Sequence, residues 1–209
     1  MIFKLDDSIA FPNPVLAEAD GLLAIGGDLS SERLLLAYHH GIFPWFSEDD
    51  PILWYSPHER CVIFPNRIKQ SKSMKKLIKA GVFRITENQA FEEVIHHCAM
   101  ISRMGQEGTW ITTEMQNAYT ALHKKGVANS IEVWKDHELV GGLYGISVGA
   151  VFCGESMFSK VSNASKMALI YLAQKQGLQL IDCQLPNDHL MSMGAEMISR
   201  EEYIKILNQ

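Results

Sequence analysis

Two polar side chains near the end of the chain have a spacing that suits proton chemistry. Asp182 and Gln184 flank Cys183 in a short apolar run that is typical of a β-strand, and side chains two positions apart on a strand project from the same face. If Asp182 accepts a hydrogen bond from the Gln184 amide, the amide oxygen becomes a better proton acceptor. The alternative interpretation is that Asp182 only braces a backbone turn.

The cysteines and histidines give little sign of metal or thiol chemistry. The four cysteines contain no C-x-x-C pair and the eight histidines no H-E-x-x-H, so we expect no bound metal and no disulfide framework. Cys153 has no evident thiolate-stabilising neighbour, and the segment after it fails the nucleophile-elbow pattern. A covalent thiol intermediate is therefore not predicted.

Charge is distributed unevenly along the chain. The net charge of −5 argues mildly against a nucleic-acid partner. The stretch from Arg60 to Thr86, however, carries +8 with no acidic residue, so the remainder carries −13. This asymmetry predicts two partner surfaces, one of them for a polyanion, with a solvated basic face as the alternative. The basic residues are Arg60, Arg67, Lys69, Lys72, Lys75, Lys76, Lys79 and Arg84.

The elements that must position these residues change character near Ser130. Before it, capped helical patterns alternate with short strand-like runs. One of these helices begins at Ser71 and ends at Gly81, while the proline- and glycine-rich segment 11–27 is typical of a loop. After Ser130, three strand-like runs precede a helix, a strand, a helical turn and a strand, and Ser199 caps a last helix. This order is that of the acetyltransferase-like (GNAT-like) fold.

The length of 209 residues suits one domain or two small ones. We predict an α/β (α+β) protein with a small N-terminal α/β domain over residues 1–60 and a GNAT-like catalytic domain over residues 61–209. The chain starts without a basic segment followed by an apolar run, and its longest apolar stretch, Met167–Ala173, is too short to span a bilayer. We therefore expect a cytoplasmic protein with no membrane partner.

A GNAT-like fold invites acetyl-CoA as the donor, because such enzymes hold the CoA pyrophosphate on a glycine-rich loop that leads into a helix. The equivalent stretch here, 159–165, contains no glycine, and neither a Walker A motif nor G-x-G-x-x-G occurs elsewhere. We therefore predict that no cofactor is used and that the donor arrives already activated.

Six short motifs then appear in a fixed order. They are Gly21-Leu-Leu-Ala-Ile-Gly-Gly-Asp-Leu-Ser30, Gly41-Ile-Phe-Pro-Trp-Phe-Ser47, Gly108-Thr-Trp-Ile111, Phe152-Cys-Gly-Glu-Ser-Met-Phe-Ser159, Asn163-Ala-Ser-Lys166 and Ile181-Asp-Cys-Gln184. Together they closely resemble the bacterial leucyl/phenylalanyl-tRNA–protein transferases, from about residue 9 to the C-terminus. The resemblance implies transfer of Leu or Phe, and weakly Met, from aminoacyl-tRNA to proteins that begin with Lys or Arg. Those proteins are thereby marked for degradation by the N-degron pathway.

The resemblance also implies roles for particular residues. Asp182 and Gln184 would relay the proton of the attacking α-amine, and Glu155 matches a site position where a carboxylate could bind the acceptor's ammonium group or its Lys or Arg side chain. Asn187, just beyond the strand, could steady the ester or the tetrahedral oxyanion. Substrate-assisted proton transfer, with the Asp182–Gln184 pair only positioning, is the alternative.

The donor would occupy an aromatic platform and an apolar pocket. Trp45 and Trp110 can stack on the terminal adenine, although tryptophans among apolar neighbours also suit a core. Positions matching the family pocket are Leu143, Phe152, Met157, Leu169 and Leu172, and for the last two an ordinary core position is a serious alternative. The basic stretch would contact the phosphates of the tRNA. The competing functions are a CoA-dependent N-acetyltransferase and a non-catalytic tRNA-binding module.

Overall fold

A computed structural model describes residues 2–101 and 109–209. The first part of the chain forms a small sheet with strand order β1-β2-β4-β3. Its strands are β1 (Phe3–Leu5), β2 (Leu22–Gly26), β3 (Phe43–Pro44) and β4 (Leu53–Tyr55), with helix α1 (Ser31–His39) between β2 and β3. Strand β2 lies inside the segment 11–27 that we predicted as a loop. That prediction is wrong for residues 22–26, because the flanking glycines mark the ends of a strand and not a continuous loop.

The rest of the described chain is organised by a larger sheet with the order β11-β5-β10-β9-β8-β7-β6. Its strands are β5 (Glu59–Ile63), β6 (Arg84–Glu87), β7 (Ala128–Lys135), β8 (Glu138–Val148), β9 (Val151–Ser159), β10 (Leu180–Gln184) and β11 (Glu196–Ser199). The helices are α2 (Lys72–Ala80), α3 (Phe91–Met100), α4 (Thr113–Lys124), α5 (Ala164–Leu172), α6 (Asp188–Ser192) and α7 (Arg200–Leu207). The predicted domain limit after Arg60 falls within β5.

Apolar stripes bind the helices to the two faces of this sheet. On one face, α3 buries Phe91, Val94 and Ile95 in a core that also includes side chains of α1, α4 and α7. On the other face, α5 is apolar on nearly all sides and packs with α2 and α6. A helix that is apolar all round is stable only when covered, so α5 lies at the centre of its layer.

Strands β7, β8 and β9 form an antiparallel meander that is followed by α5, β10, α6 and β11, which confirms the predicted GNAT-like order. Strand β10 runs parallel to β9, and the two pair only from Leu180↔Val151 to Asp182↔Cys153. Strand β9 continues to Ser159 beyond the last of these pairs. The strands therefore part after Cys153, and this parting opens the cleft that holds the candidate site.

Candidate active site

A cavity of about 750 Å³ lies where β9 and β10 part. Every residue that we predicted for the donor site lines it: Trp45, Trp110, Leu143, Phe152, Met157, Leu169 and Leu172. Strands β8 and β9 supply Leu143, Phe152 and Met157, and helix α5 supplies the two remaining leucines one turn apart. Its size and mostly apolar wall suit a small-molecule group with a hydrophobic side chain.

Two tryptophans from distant parts of the chain stand at this cavity. Trp45 follows β3 and is 38% exposed, with its backbone N–H bonded to the Leu53 carbonyl oxygen at 2.9 Å and its ring centroid 5.9 Å from that of Tyr55. Trp110 is half-buried and packs against the core beside α4. Gly108, the first residue of its motif, lies outside the described residues. Neither tryptophan is fully buried, so both leave ring surface for a ligand.

The polar wall of the cavity is formed by Glu155 on β9 and Gln184 at the end of β10. The Gln184 side-chain amide donates to Glu155 Oε1 at 2.9 Å. On the other side of this carboxylate, the Tyr119 hydroxyl donates to Oε2 at 3.1 Å and is itself hydrogen-bonded to the Tyr38 hydroxyl. The amide nitrogen of Gln184 is bound to Glu155. Its amide oxygen has no hydrogen-bond partner within residues 2–101 and 109–209, so it can accept from a ligand.

Burial raises the pKa of Glu155 to about 7, because the carboxylate loses hydration at the base of the cavity. The phenols of Tyr38 and Tyr119 act in the opposite direction and stabilise the ionised form. The same burial raises the pKa of both phenols well above the ordinary value, so they remain donors at neutral pH. Glu155 is therefore a carboxyl group that can exchange a proton near pH 7.

Asp182 does not reach the cavity, and the predicted bond from the Gln184 side-chain amide to this carboxylate is wrong. Asp182 is 0% exposed. Arg60 donates to both of its oxygens at 2.9 Å, and the Tyr203 hydroxyl donates to Oδ2 at 2.9 Å. The fourth donor is the backbone N–H of Gln184, 2.9 Å from Oδ1. With its acceptor positions filled, this carboxylate holds its neighbours in place and does not contact a substrate.

We assumed that side chains along β10 alternate between the two faces of the sheet, but this alternation ends before Gln184. The register with β5 shifts between Asp182 and Gln184, and Gln184 adopts φ 55°, in the left-handed region that side-chain-bearing residues rarely occupy. The bond from its N–H to Asp182 stabilises this turn. The alternative interpretation, in which Asp182 braces a backbone turn, is the one that these contacts confirm, and the turn directs the Gln184 side chain to Glu155.

Arg60 was predicted to contact tRNA, but it is buried with 1% exposure, so a phosphate cannot reach it. Its guanidinium lies between the rings of Phe43 and Tyr203, 4.8 and 4.6 Å from their centroids. It also donates to the Gly41 carbonyl oxygen at 3.2 Å. Arg60 thus connects the segment that carries Trp45 to strand β10.

The other predicted basic residues lie at the surface. Lys72, Lys75, Lys76 and Lys79 are exposed on α2, whose start is capped by Ser71 and whose end is Gly81, as predicted. Within residues 2–101 and 109–209, none of these four lysines has an acidic partner within 4.0 Å. Lys69, Arg67 and Arg84 are also exposed, although Arg67 pairs with Glu196.

Asn187 begins α6 at the rim of the cavity. Its side-chain oxygen accepts the Leu190 N–H at 2.9 Å and so caps the helix, which leaves the amide N–H groups to face a ligand.

Sequence reasoning missed Tyr38, Tyr119 and Tyr203. The separations of 81, 36 and 21 residues in their bonds follow no local period that would reveal such contacts.

The order of strands and helices in the larger sheet is that of the GNAT-like fold, and the cavity lies where its strands β9 and β10 part. The fold is similar to that of FemX, at a TM-score of 0.51 and 11% identity over 86% of this chain and 71% of that one. A family model described as leucyl/phenylalanyl-tRNA protein transferase matches residues 62–208, and the model of its N-terminal domain matches residues 27–58.

Relatives support the same assignment. The leucyl/phenylalanyl-tRNA–protein transferase of Flavobacterium johnsoniae is 54% identical over 209 residues, which cover 99% of both chains. That of Hydrogenovibrio crunogenus is 55% identical and is aligned over 99% of this chain and 83% of its own. The chain belongs to the leucyl/phenylalanyl-tRNA–protein transferase family and is an aminoacyltransferase. Among the residues described, no helix is long and apolar enough to cross a membrane.

Proposed function

We propose that this protein transfers Leu or Phe, and weakly Met, from aminoacyl-tRNA to the α-amino group of proteins that begin with Lys or Arg. In this proposal the products are marked for degradation by the N-degron pathway in the cytoplasm. The single observation that carries it is the cavity itself, which joins an apolar pocket, two tryptophans and a carboxylate–amide pair within about 750 Å³. These are the parts that an aminoacyl-adenosine and an amine nucleophile require together.

The donor would occupy the apolar side of the cavity. Stacking of the terminal adenine on Trp45 and Trp110 is worth roughly 1–3 kcal/mol per base in comparable sites. The leucyl or phenylalanyl side chain would lie against Leu143, Met157 and Leu169. The flexible thioether of Met157 suits a pocket that admits more than one shape. A purely apolar pocket separates similar side chains only modestly, which is consistent with weak use of Met.

The acceptor would enter at the polar wall. The free amide oxygen of Gln184 can orient the α-amine, and Glu155 supplies negative charge for a cationic N-terminus. The ester is already activated, so the enzyme has chiefly to position the two reactants and stabilise charge. The amide N–H groups of Asn187, at the rim, can donate to the oxyanion as the amine attacks.

The tRNA would lie along α2, where four exposed lysines form a basic surface. Contacts of this kind bind phosphates without reading sequence, so they position the acceptor stem and leave selection of the amino acid to the cavity. Arg60 plays no part in this surface because it is buried.

The test is transfer of labelled leucine from leucyl-tRNA to peptides that begin with Arg, Lys or Ala, without ATP or CoA. We expect labelling of the Arg and Lys peptides and none of the Ala peptide. Retained tRNA binding without labelling would support a non-catalytic tRNA-binding module. Acetyl-CoA turnover without tRNA binding would support an N-acetyltransferase.

A further inference from the structure

Glu155, on the polar wall of the cavity, accepts a hydrogen bond on each of its two carboxylate oxygens. Glu155 Oε1 accepts the Gln184 side-chain amide at 2.9 Å, and Oε2 accepts the Tyr119 hydroxyl at 3.1 Å. Tyr119 is buried, as is Tyr38, whose hydroxyl is bonded to that of Tyr119. The two phenols come from α4 and α1, so two helices outside the strand fix the orientation of one side chain.

We propose that Glu155 accepts the proton of the acceptor's α-ammonium group, and that Tyr119, backed by Tyr38, is the positioning residue that holds Glu155 for this step. The inference rests on the proposed function and deepens it. It gives to Glu155 the proton-accepting role that we predicted for the Asp182–Gln184 pair, since the acceptor positions of Asp182 are filled by Arg60, Tyr203 and the Gln184 backbone N–H.

The reaction needs a base at this place. An α-amino group has a pKa of about 7.7–8.0, so most acceptors arrive at neutral pH as the ammonium form, which has no lone pair to attack with. Glu155 lines the cavity, and its pKa of about 7 lies close enough to that of the ammonium group for efficient proton exchange. A carboxylate with an ordinary pKa would be a weaker base for this transfer.

Charged and titratable groups face Glu155 from four neighbouring elements. Tyr119 on α4 donates to the ionised form, and Tyr38 on α1 is bonded to Tyr119. Both phenols lower the pKa of Glu155. Asp182 on β10 raises this pKa and Arg60 on β5 lowers it. The last two form a mutual ion pair, so their influences oppose each other. Tyr119 is the titratable neighbour that favours the carboxylate by a direct hydrogen bond, and Tyr38 supports it through Tyr119.

The step balances without any further reagent. The ammonium group gives one proton to the Glu155 carboxylate and becomes a neutral amine. The amine nitrogen then attacks the ester carbonyl carbon, a C–N bond forms, and the bond from that carbon to the ribose oxygen of the terminal adenosine breaks. The second amine proton passes to the departing oxygen, and the proton on Glu155 returns to solvent.

The first experiment follows the pH dependence of kcat/KM for an Arg-starting peptide with leucyl-tRNA in the unmodified protein and in Tyr119→Phe. Loss of the Tyr119 hydrogen bond removes stabilisation of the carboxylate, so the pKa of Glu155 rises further. The ascending limb should therefore move to higher pH by about one unit, with about tenfold less activity on its acidic side. The α-amine is the same in both proteins, so it cannot produce a difference.

Tyr171→Phe is the matched control, because Tyr171 also donates a phenol to a carboxylate, Glu87, but does so outside the cavity at 3.0 Å. The ascending limb of the pH profile of kcat/KM should stay in place in this variant. Tyr38→Phe should shift the ascending limb in the same direction as Tyr119→Phe. If Tyr119→Phe does not fold, the Tyr38→Phe protein is measured in its place. An unmoved limb in a folded, active Tyr119→Phe or Tyr38→Phe protein would overturn this inference alone. Absence of transfer by the unmodified protein would overturn the proposed function as well.

Glu155→Gln tests the proton acceptor itself. Glutamine keeps the shape of the side chain but cannot take the proton, so kcat should fall by a factor on the order of 10²–10⁴ while leucyl-tRNA still binds. A raised KM for the peptide with kcat unchanged would assign Glu155 to acceptor binding only and would overturn its role as proton acceptor.

Discussion

The apolar wall of the cavity is formed by side chains that line it directly, whereas the polar wall depends on a network of hydrogen bonds behind it. On the apolar wall, each side chain that we predicted for the donor lines the cavity. On the polar wall, Glu155, Gln184 and Asn187 line the cavity, whereas Asp182 lies behind it in a buried network. An apolar side chain needs only to face the correct side of its element, but the action of a polar side chain depends on its partners.

Those partners come from far along the chain. The bond between Arg60 and Asp182 joins residues 122 positions apart, and the bond between Tyr38 and Tyr119 joins residues 81 apart. Motif spacing therefore identifies which polar residues gather at a site, while tertiary packing decides which of them contacts the substrate and which one holds another in place.

The largest expected effect is a loss of stability on replacement of Asp182, which holds Arg60 and the Gln184 backbone in place. Asp182→Asn leaves Arg60 buried without its counter-charge, and breaking a buried pair in this way costs about 3–5 kcal/mol. Denaturant unfolding should show this loss, whereas Glu155→Gln should unfold near the midpoint of the unmodified protein. If Asp182→Asn kept full stability and lost only turnover, Asp182 would belong with the residues that contact the substrate. Its assignment as a residue that only holds others in place would then be wrong.

The next effect separates the two tryptophans at the cavity. Trp45 is 38% exposed, so Trp45→Ala should leave the unfolding midpoint nearly unchanged. The Kd of an aminoacyl-adenosine mimic should rise by the equivalent of roughly 1–3 kcal/mol. Trp110→Ala should weaken the same binding and also lower stability, because Trp110 packs against the core. Unchanged affinity in a folded Trp45→Ala protein would place the adenine elsewhere.

The smallest expected effect per residue is on tRNA binding by the lysines of α2, which lie outside both walls of the cavity. Replacing Lys72 and Lys76 by Ala should weaken tRNA binding and reduce the slope of log K against log salt by about one for each lost phosphate contact. Lys124→Ala with Lys125→Ala is the matched control, since these exposed lysines lie on another helix and face acidic partners. Equal losses of slope in both double variants would show that the effect is general charge and not a track along α2.

The order of elements in the larger sheet was predictable because its strands and helices have clear apolar periods and polar caps. Ser71, Gly81 and Ser199 act at helix ends as expected. Strand β2 was missed because its glycines resemble those of a loop. The register shift in β10 was missed because a positive φ at Gln184 depends on the carboxylate that receives its N–H.

Arg60 shows a second limit of sequence reasoning. In the sequence it is the first of eight basic residues in an uninterrupted basic stretch, and composition cannot distinguish it from the lysines of α2. It is buried because Asp182 and the rings of Phe43 and Tyr203 surround it. Its place directly before the buried apolar residues Cys61, Val62 and Ile63 is the one available signal, and it is weak beside seven basic neighbours that are exposed.

The most direct measurement is a crystal structure of the protein with a non-hydrolysable leucyl-adenosine amide. We expect the adenine on Trp45 and Trp110, the leucyl side chain against Leu143, Met157 and Leu169, and the leucyl carbonyl carbon beside Gln184. Asp182 should have no contact with the ligand. A leucyl group bound outside this cavity, or a ligand lying along the start of α5 as a CoA pyrophosphate would, would contradict the assignment of the cavity as the donor site.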